Sequence, residues 1–268
     1  MSDSAVNKSG KIFKVELPIS VQDTLIKISS LFYFALRNIR ELLKPPYEIK
    51  ETLKQFYQIG YKSFSLIAVT GFIIGLTLTL QSIPTLNKFG ASSLVPSMVA
   101  LAIILEIGPV ITALIFAGKI GSGIGAELGS MKVTEQIDAM EVSGCNPFKY
   151  LVVTRVTAAT LMLPLLVILA DMIALMGGYI AFSITESSSL KSYLLSSLTN
   201  IEMRDIIPAT IKTFLFGFSI GVVGCFEGYN ADRGTESVGI AANTAVVISS
   251  LLVILIDMLM VQVTSIIF

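Results

Sequence analysis

Hydrophobic positions along this chain form one amphipathic stretch followed by five long apolar ones. In the first, Leu25, Ile28, Phe32, Leu36, Ile39 and Leu43 recur at spacings of three and four, with Lys27, Arg37 and Arg40 set between them, ahead of Pro45-Pro46. That period places the apolar residues on one helical face, and the prolines stop the helix. Such a helix packs on its own chain in water or lies in a membrane interface. The long apolar segment that follows favours the interface.

From Ser63 to Asn87 no residue is charged, a stretch longer than the ~20 residues that cross a hydrocarbon core. A short turn around Pro84, Lys88 and Gly90 leads into Ala91–Gly118, interrupted only by Glu106. The run Glu106-Ile107-Gly108-Pro109 predicts a kink or break there, because proline removes an N–H and its ring crowds the preceding turn. A polar stretch from Lys119 to Arg155 comes next. Further apolar segments cover residues 156–182, 206–226 and 238–266, with the serine-rich 183–204 outside the membrane between the first two. Within the polar stretch, 133–142 reads as a short helix closed by Gly144 and Pro147. Glu135, Asp138 and Glu141 give it an acidic stripe, and Ile137 and Met140 an apolar one. It is either a solvated surface helix or a docking helix for a cytoplasmic partner.

Composition agrees with the pattern. The chain is 53% hydrophobic and 14% charged, with a mean hydropathy of +0.79, whereas a soluble domain is about a quarter charged. The expected fold is therefore an all-α integral membrane protein of five transmembrane helices, with an N-terminal interfacial amphipathic helix and a short cytoplasmic coupling helix. Two regions follow: a tail with the interfacial helix over 1–62, and a transmembrane domain over 63–268. The formal net charge of zero conceals an asymmetry. Residues 1–62, 119–155 and 227–237 hold ten, four and one Lys or Arg, fifteen in all, against three at Lys88, Lys191 and Arg204. Positive charge gathers on the cytoplasmic side, so the expected topology is N-terminus cytoplasmic and C-terminus periplasmic. Asp3, Lys8 and the lack of an early apolar run argue against a cleavable signal peptide.

Several chemistries are unsupported. The chain has no His, the commonest proton shuttle and metal ligand. Cys145 and Cys225 follow no metal-binding spacing. No catalytic residue, metal site or bound cofactor is expected, nor a nucleic-acid partner. No G-x-x-x-x-G-K-[ST] occurs, so ATP-driven work would need a separate ATPase subunit carrying the ATP and Mg.

Four of the five apolar segments carry one ionisable residue each: Glu106, Asp171, Lys212 and Asp257. At a helix centre such a residue costs ~2.5–3.5 kcal/mol on insertion scales, so each should face a partner charge, a neighbouring helix or a watery cavity. Glu106 and Lys212 have opposite signs and can neutralise one another, and Glu106 adjoins the Gly-Pro dipeptide; the two are the candidate substrate-cavity residues. Asp171 and Asp257 fit structural pairing equally well. Ala117, Gly121, Gly125 and Gly129 fall four apart, as do Gly71 and Gly75, and Gly217 and Gly221. Such faces let helices approach closely in lipid, within a subunit or between subunits.

The stretch from Glu106 to Val142, EIGPVITALIFAGKIGSGIGAELGSMKVTEQIDAMEV, closely resembles the hallmark of the MlaE family of ABC-transporter permeases. Leu80-Gln81 and the 230–247 region, with Gly234, Gly239, Ala241-Ala242 and Thr244, resemble further family positions, so the likeness covers roughly residues 50–268. The resemblance implies a phospholipid-transport permease of the bacterial inner membrane that acts in lipid asymmetry. It implies a homodimer, each copy bound to a cytoplasmic ABC ATPase through the 133–142 helix (Glu135, Ile137, Asp138, Met140 and Glu141), and an MCE-domain protein outside. It also implies an outward-facing lipid cavity near Leu78, Leu86, Phe89 and Glu106, with Lys212 opposite. Enterobacterial members carry Arg just before that Glu, where this chain has Leu105, so the charge balance of the cavity differs. The competing reading is an ion-coupled secondary carrier using the intramembrane carboxylates; an odd number of spans without an inverted repeat argues against it. A non-transporting scaffold is the third.

Overall fold

The computed structural model describes residues 19–186 and 188–267, and side chains from Leu25 onward up to Ile266 apart from Ser187. The expected tail before Ile19, with Asp3 and Lys8, lies outside the described residues. The helices are α1 (Ile19–Leu42), α2 (Ile49–Lys88), α3 (Ser92–Val133), α4 (Gln136–Val142), α5 (Phe148–Thr185), α6 (Leu190–Leu198), α7 (Met203–Tyr229) and α8 (Thr235–Ile267). Among the described residues there is no strand. Five helices, α2, α3, α5, α7 and α8, are long and apolar enough to cross a membrane. The shortest, α7, has 27 residues, about 40 Å at 1.5 Å per residue. All five therefore project beyond a hydrocarbon core of about 30 Å.

At the centre, α5 packs along α2 on one side and α7 on the other, while α3 and α8 close the bundle against α7. Glycines set these distances. Gly71 and Gly75 of α2 lie on the backbone of Ala170 and Ala174 in α5, and Gly217 and Gly221 of α7 lie on Ala159 and Val156. Gly125 and Gly129 of α3 face Ala241, Ala242 and Val238 of α8. The small-residue faces are thus used inside this one chain. Lipid tails supply no hydrophobic drive between helices, so close van der Waals contact between backbones must hold them together.

Two expectations are corrected. The stretch from Lys119 to Arg155 is not one long polar connection: α3 stays helical to Val133 and α5 begins at Phe148. Gly121, Gly125 and Gly129 remain packed against α7 and α8, and Arg155, buried, donates to Glu127 Oε1 at 2.8 Å and to the Leu151 carbonyl at 2.9 Å. Nor does α3 break at Gly108-Pro109. The helix widens into a π-helical turn at Ile103–Ile107 and continues. Proline at 109 leaves the carbonyl four residues back without its N–H, and one extra residue in the turn absorbs the misfit.

Helix α1 ends at Leu42, just before Pro45-Pro46. It docks through Phe34 and Asn38, both buried, against the bundle end. The Phe34 ring lies 5.0 Å from Phe148 and 5.5 Å from Phe226, and the Arg37 guanidinium sits 4.0 Å over the Phe148 ring. Lys27 pairs with Glu227 at 3.0 Å. Leu25, Ile28, Phe32, Leu36, Ile39 and Leu43 all remain exposed. An apolar stripe turned away from the protein, on a helix pinned to a transmembrane bundle, is the arrangement of an interfacial helix.

Candidate functional site

Three spans converge on one ammonium. Lys212 lies on the face of α7 that buries Ala209, Thr213 and Phe216, so its stem follows the packed side of the helix. Its Nζ donates to Glu106 Oε2 at 2.6 Å and to Asp257 Oδ1 at 2.9 Å. The lysine side chain is 4% exposed, that of Asp257 21% and that of Glu106 44%. The widened turn of α3 carries Glu106, so the same bulge that accommodates Pro109 presents the carboxylate to α7. One cation between two anions leaves an excess of carboxylate, and the exposed oxygens of Glu106 belong to the wall of a cavity.

That cavity measures about 500 Å³, and its lining includes Leu105, Glu106, Asp205, Pro208, Lys212, Met260 and Thr264. Its size falls within the roughly 300–1,000 Å³ usual for small-molecule pockets. Asp205 also closes the capping box that starts α7, accepting from the Glu202 N–H at 3.2 Å. A lining that joins apolar side chains to the charged Glu106, Asp205 and Lys212 suits an amphiphile better than a purely polar solute.

Sequence reasoning placed Glu106 and Lys212 together, and they touch. For Asp257 it offered structural pairing without naming the partner, and the structure supplies Lys212 as that partner; three acids in three spans could each match one lysine, and spacing alone does not choose between them. Asp171 stays apart. Its buried Oδ1 has no hydrogen-bond partner among the described residues and presses on Gly108, where an added Cβ would lie 1.9 Å away. Leu78 and Leu86 do not line the cavity but pack, half-buried, on the cluster of Val95, Val99 and Ile103; Phe89 is exposed. Leu105 lines the cavity, where the family resemblance had put it, whereas Met260 and Thr264 have no sequence signal that would have marked them as lining residues.

The α4 helix also differs from its expected form. It starts at Gln136, and Glu135 precedes it as the N-cap in a left-handed conformation with φ 56°. Ile137 is buried and Met140 partly so, both against this chain's own core, whereas Glu135, Asp138 and Glu141 are exposed. Lys132 holds Asp138 at 2.9 Å. Ile137 and Met140 are therefore consumed in holding α4 to the bundle, and the acidic stripe faces outward together with the exposed Val142 at the helix end.

A family model described as Permease MlaE matches residues 52–263. A probable ABC transporter permease protein of Rickettsia prowazekii is 38% identical over 230 residues, covering 86% of this chain and 88% of that one. The intermembrane phospholipid transport system permease protein MlaE of Haemophilus influenzae is 32% identical over 211 residues, covering 78% and 80%. The chloroplastic protein trigalactosyldiacylglycerol 1 of Arabidopsis thaliana is 31% identical over 211 residues, covering 79% and 60%.

Proposed function

The chain belongs to the MlaE permease family of ABC transporters, and from that premise we propose that it moves phospholipid between the inner membrane and the outer envelope, driven by a separate ATPase. The observation that carries the reading is the Lys212–Glu106–Asp257 cluster at the wall of the 500 Å³ cavity. Its apolar side accepts acyl carbons and its charged side a polar headgroup. The name of the Haemophilus influenzae relative supports phospholipid as the substrate class. The chain acts as one half of a homodimer, with an MCE-domain protein on the outer face, and Leu78, Leu86 and Phe89 belong to the lipid path where the two copies meet.

In this scheme the positively charged side faces the cytoplasm, and the ATPase engages the outward acids of α4. Closure of the ATPase pushes α4. Ile137 and Met140 then pass the motion into the core, where α3 and α7 shift the walls of the cavity. The test is reconstitution. A tagged chain should purify in mild detergent with an ATPase subunit and phospholipid, and lipid transfer between vesicles should require ATP. Transfer without any ATPase, abolished by neutralising Glu106 or Asp257, would instead support an ion-coupled carrier.

Charge reversal at Asp138 addresses the coupling step. Asp138→Lys loses the Lys132 contact and inverts the outward stripe. The expected result is a fall in lipid moved per ATP hydrolysed of roughly tenfold, measured as the ratio of the two rates, with ATP hydrolysis retained. An unchanged ratio would remove α4 from the coupling path.

A further inference from the structure

At the lysine-rich end of the bundle, remote from the Lys212 cluster, a second cavity of about 280 Å³ opens between the α1–α2 corner and α5. Leu42, Ile49, Leu53, Phe56 and Val153 make it apolar, and Leu42, Ile49 and Leu53 are also exposed at its rim. Its mouth is therefore rimmed by exposed apolar side chains. On one wall stands Lys149, only 7% exposed. Its ammonium donates to the carbonyl of Lys44 and lies 5.9 Å from the centre of the Tyr47 ring. Among the described residues no carboxylate comes within ion-pair distance of it. A desolvated cation held by one neutral oxygen lacks the counter-charge that burial normally demands.

The two carboxylates of the cavity are elsewhere on its wall. Glu41 turns toward Lys44 at 3.9 Å, and Glu48 reaches no cation among the described residues. The cavity thus offers a cation and an anion, both incompletely matched, on an apolar wall. A headgroup bearing a phosphate and a primary amine, with acyl chains behind it, complements all three features. A purely anionic headgroup would meet Glu41 and Glu48 unfavourably, and a quaternary amine has no N–H to donate to them. We propose that this cavity binds a zwitterionic aminophospholipid from the adjoining leaflet, with Lys149 donating to its phosphate and Glu48 accepting from its amine. The site is separate from the Lys212 cavity and does not depend on the transport reading.

The chain contains no Trp, so Leu53→Trp places a single fluorescent reporter at the rim. The variant is reconstituted in phosphatidylcholine vesicles doped with brominated phosphatidylethanolamine, phosphatidylcholine or phosphatidylglycerol, and quenching is compared at equal mole fraction. The expected result is an association constant for phosphatidylethanolamine roughly fivefold above the other two. Adding Lys149→Met or Glu48→Gln should bring that ratio close to one. A control reporter at Ile254→Trp, on the exposed face of α8, should be quenched alike by all three. Glu48→Gln changes a partly exposed side chain and serves where Lys149→Met fails to fold. Equal quenching of Leu53→Trp by the three lipids, or a preference that survives both substitutions, overturns the proposal. A preference for phosphatidylglycerol overturns the zwitterionic assignment.

Discussion

Replacing Lys212 with Met is expected to abolish lipid transfer and to destabilise the protein more than neutralising either of its partners. The asymmetry follows from geometry. Lys212 holds Glu106 at 2.6 Å and Asp257 at 2.9 Å, so its loss strands two carboxylates, whereas losing either acid leaves the lysine with the other. Breaking a fully buried pair costs roughly 3–5 kcal/mol. Here Glu106 is 44% and Asp257 21% exposed, so water relieves part of that penalty, and about 1–3 kcal/mol is the expected loss for Lys212→Met. Asp257→Asn should cost less. Glu106→Gln, at the most hydrated position, should cost least, within about 1 kcal/mol. Thermal unfolding in detergent ranks the three. The triple neutral variant should recover stability without recovering transfer, which separates a structural role from a transport role. A Lys212→Met protein as stable and active as its parent would remove the cluster from both.

Gly75→Ala is expected to prevent normal assembly of the bundle although it adds one methyl group. A Cβ at Gly75 would lie 1.8 Å from the carbonyl oxygen of Ala174, and that oxygen belongs to the backbone, so no side chain can swing aside. The neighbouring contact of Gly71 on Ala170 blocks a local sliding of α2 on α5. Overpacking of this kind costs about 1–3 kcal/mol when the surroundings yield; two apposed helices yield little. Gly123→Ala, with nothing within 4 Å of its added Cβ, is the control. It should be neutral or stabilising by up to about 1 kcal/mol, because alanine restricts the unfolded chain and favours helix. Yield and unfolding temperature in detergent compare the pair, and equal behaviour would refute the close α2–α5 packing.

Much of this architecture is legible from local pattern. The uncharged run from Ser63 to Asn87 and the later apolar segments announce their spans, because the cost of a charge in hydrocarbon is paid residue by residue. Five apolar residues of α1, with Leu43 just after its end, announce an amphipathic helix through their spacing, and all six are found exposed. Local pattern also misled. Charged Lys119, Glu127 and Lys132 read as the start of a connection, yet α3 runs on to Val133, held by glycines that read only as a packing motif. Gly108-Pro109 read as a kink or break, and the helix continues through a widened turn instead of breaking. Ile137 and Met140 read as an available apolar stripe, and the core has taken both.

The sequence by itself determined the class of molecule, the number of spans, the lack of a nucleotide-binding loop and the presence of costly charges within the bilayer. Each of these depends on composition or on short-range period, quantities that exist before any two helices meet. Only the tertiary structure decided that Asp257 joins Lys212 and Glu106 while Asp171 does not, since these residues lie 45 and 106 positions from the lysine and their meeting depends on how α3, α7 and α8 rotate against one another. It likewise decided that Lys149, one of many basic residues at its end of the bundle, is buried and faces an apolar cavity. Rotation of a helix about its axis is set by which glycines touch which backbones, and that is a property of pairs of helices, absent from any single stretch of sequence.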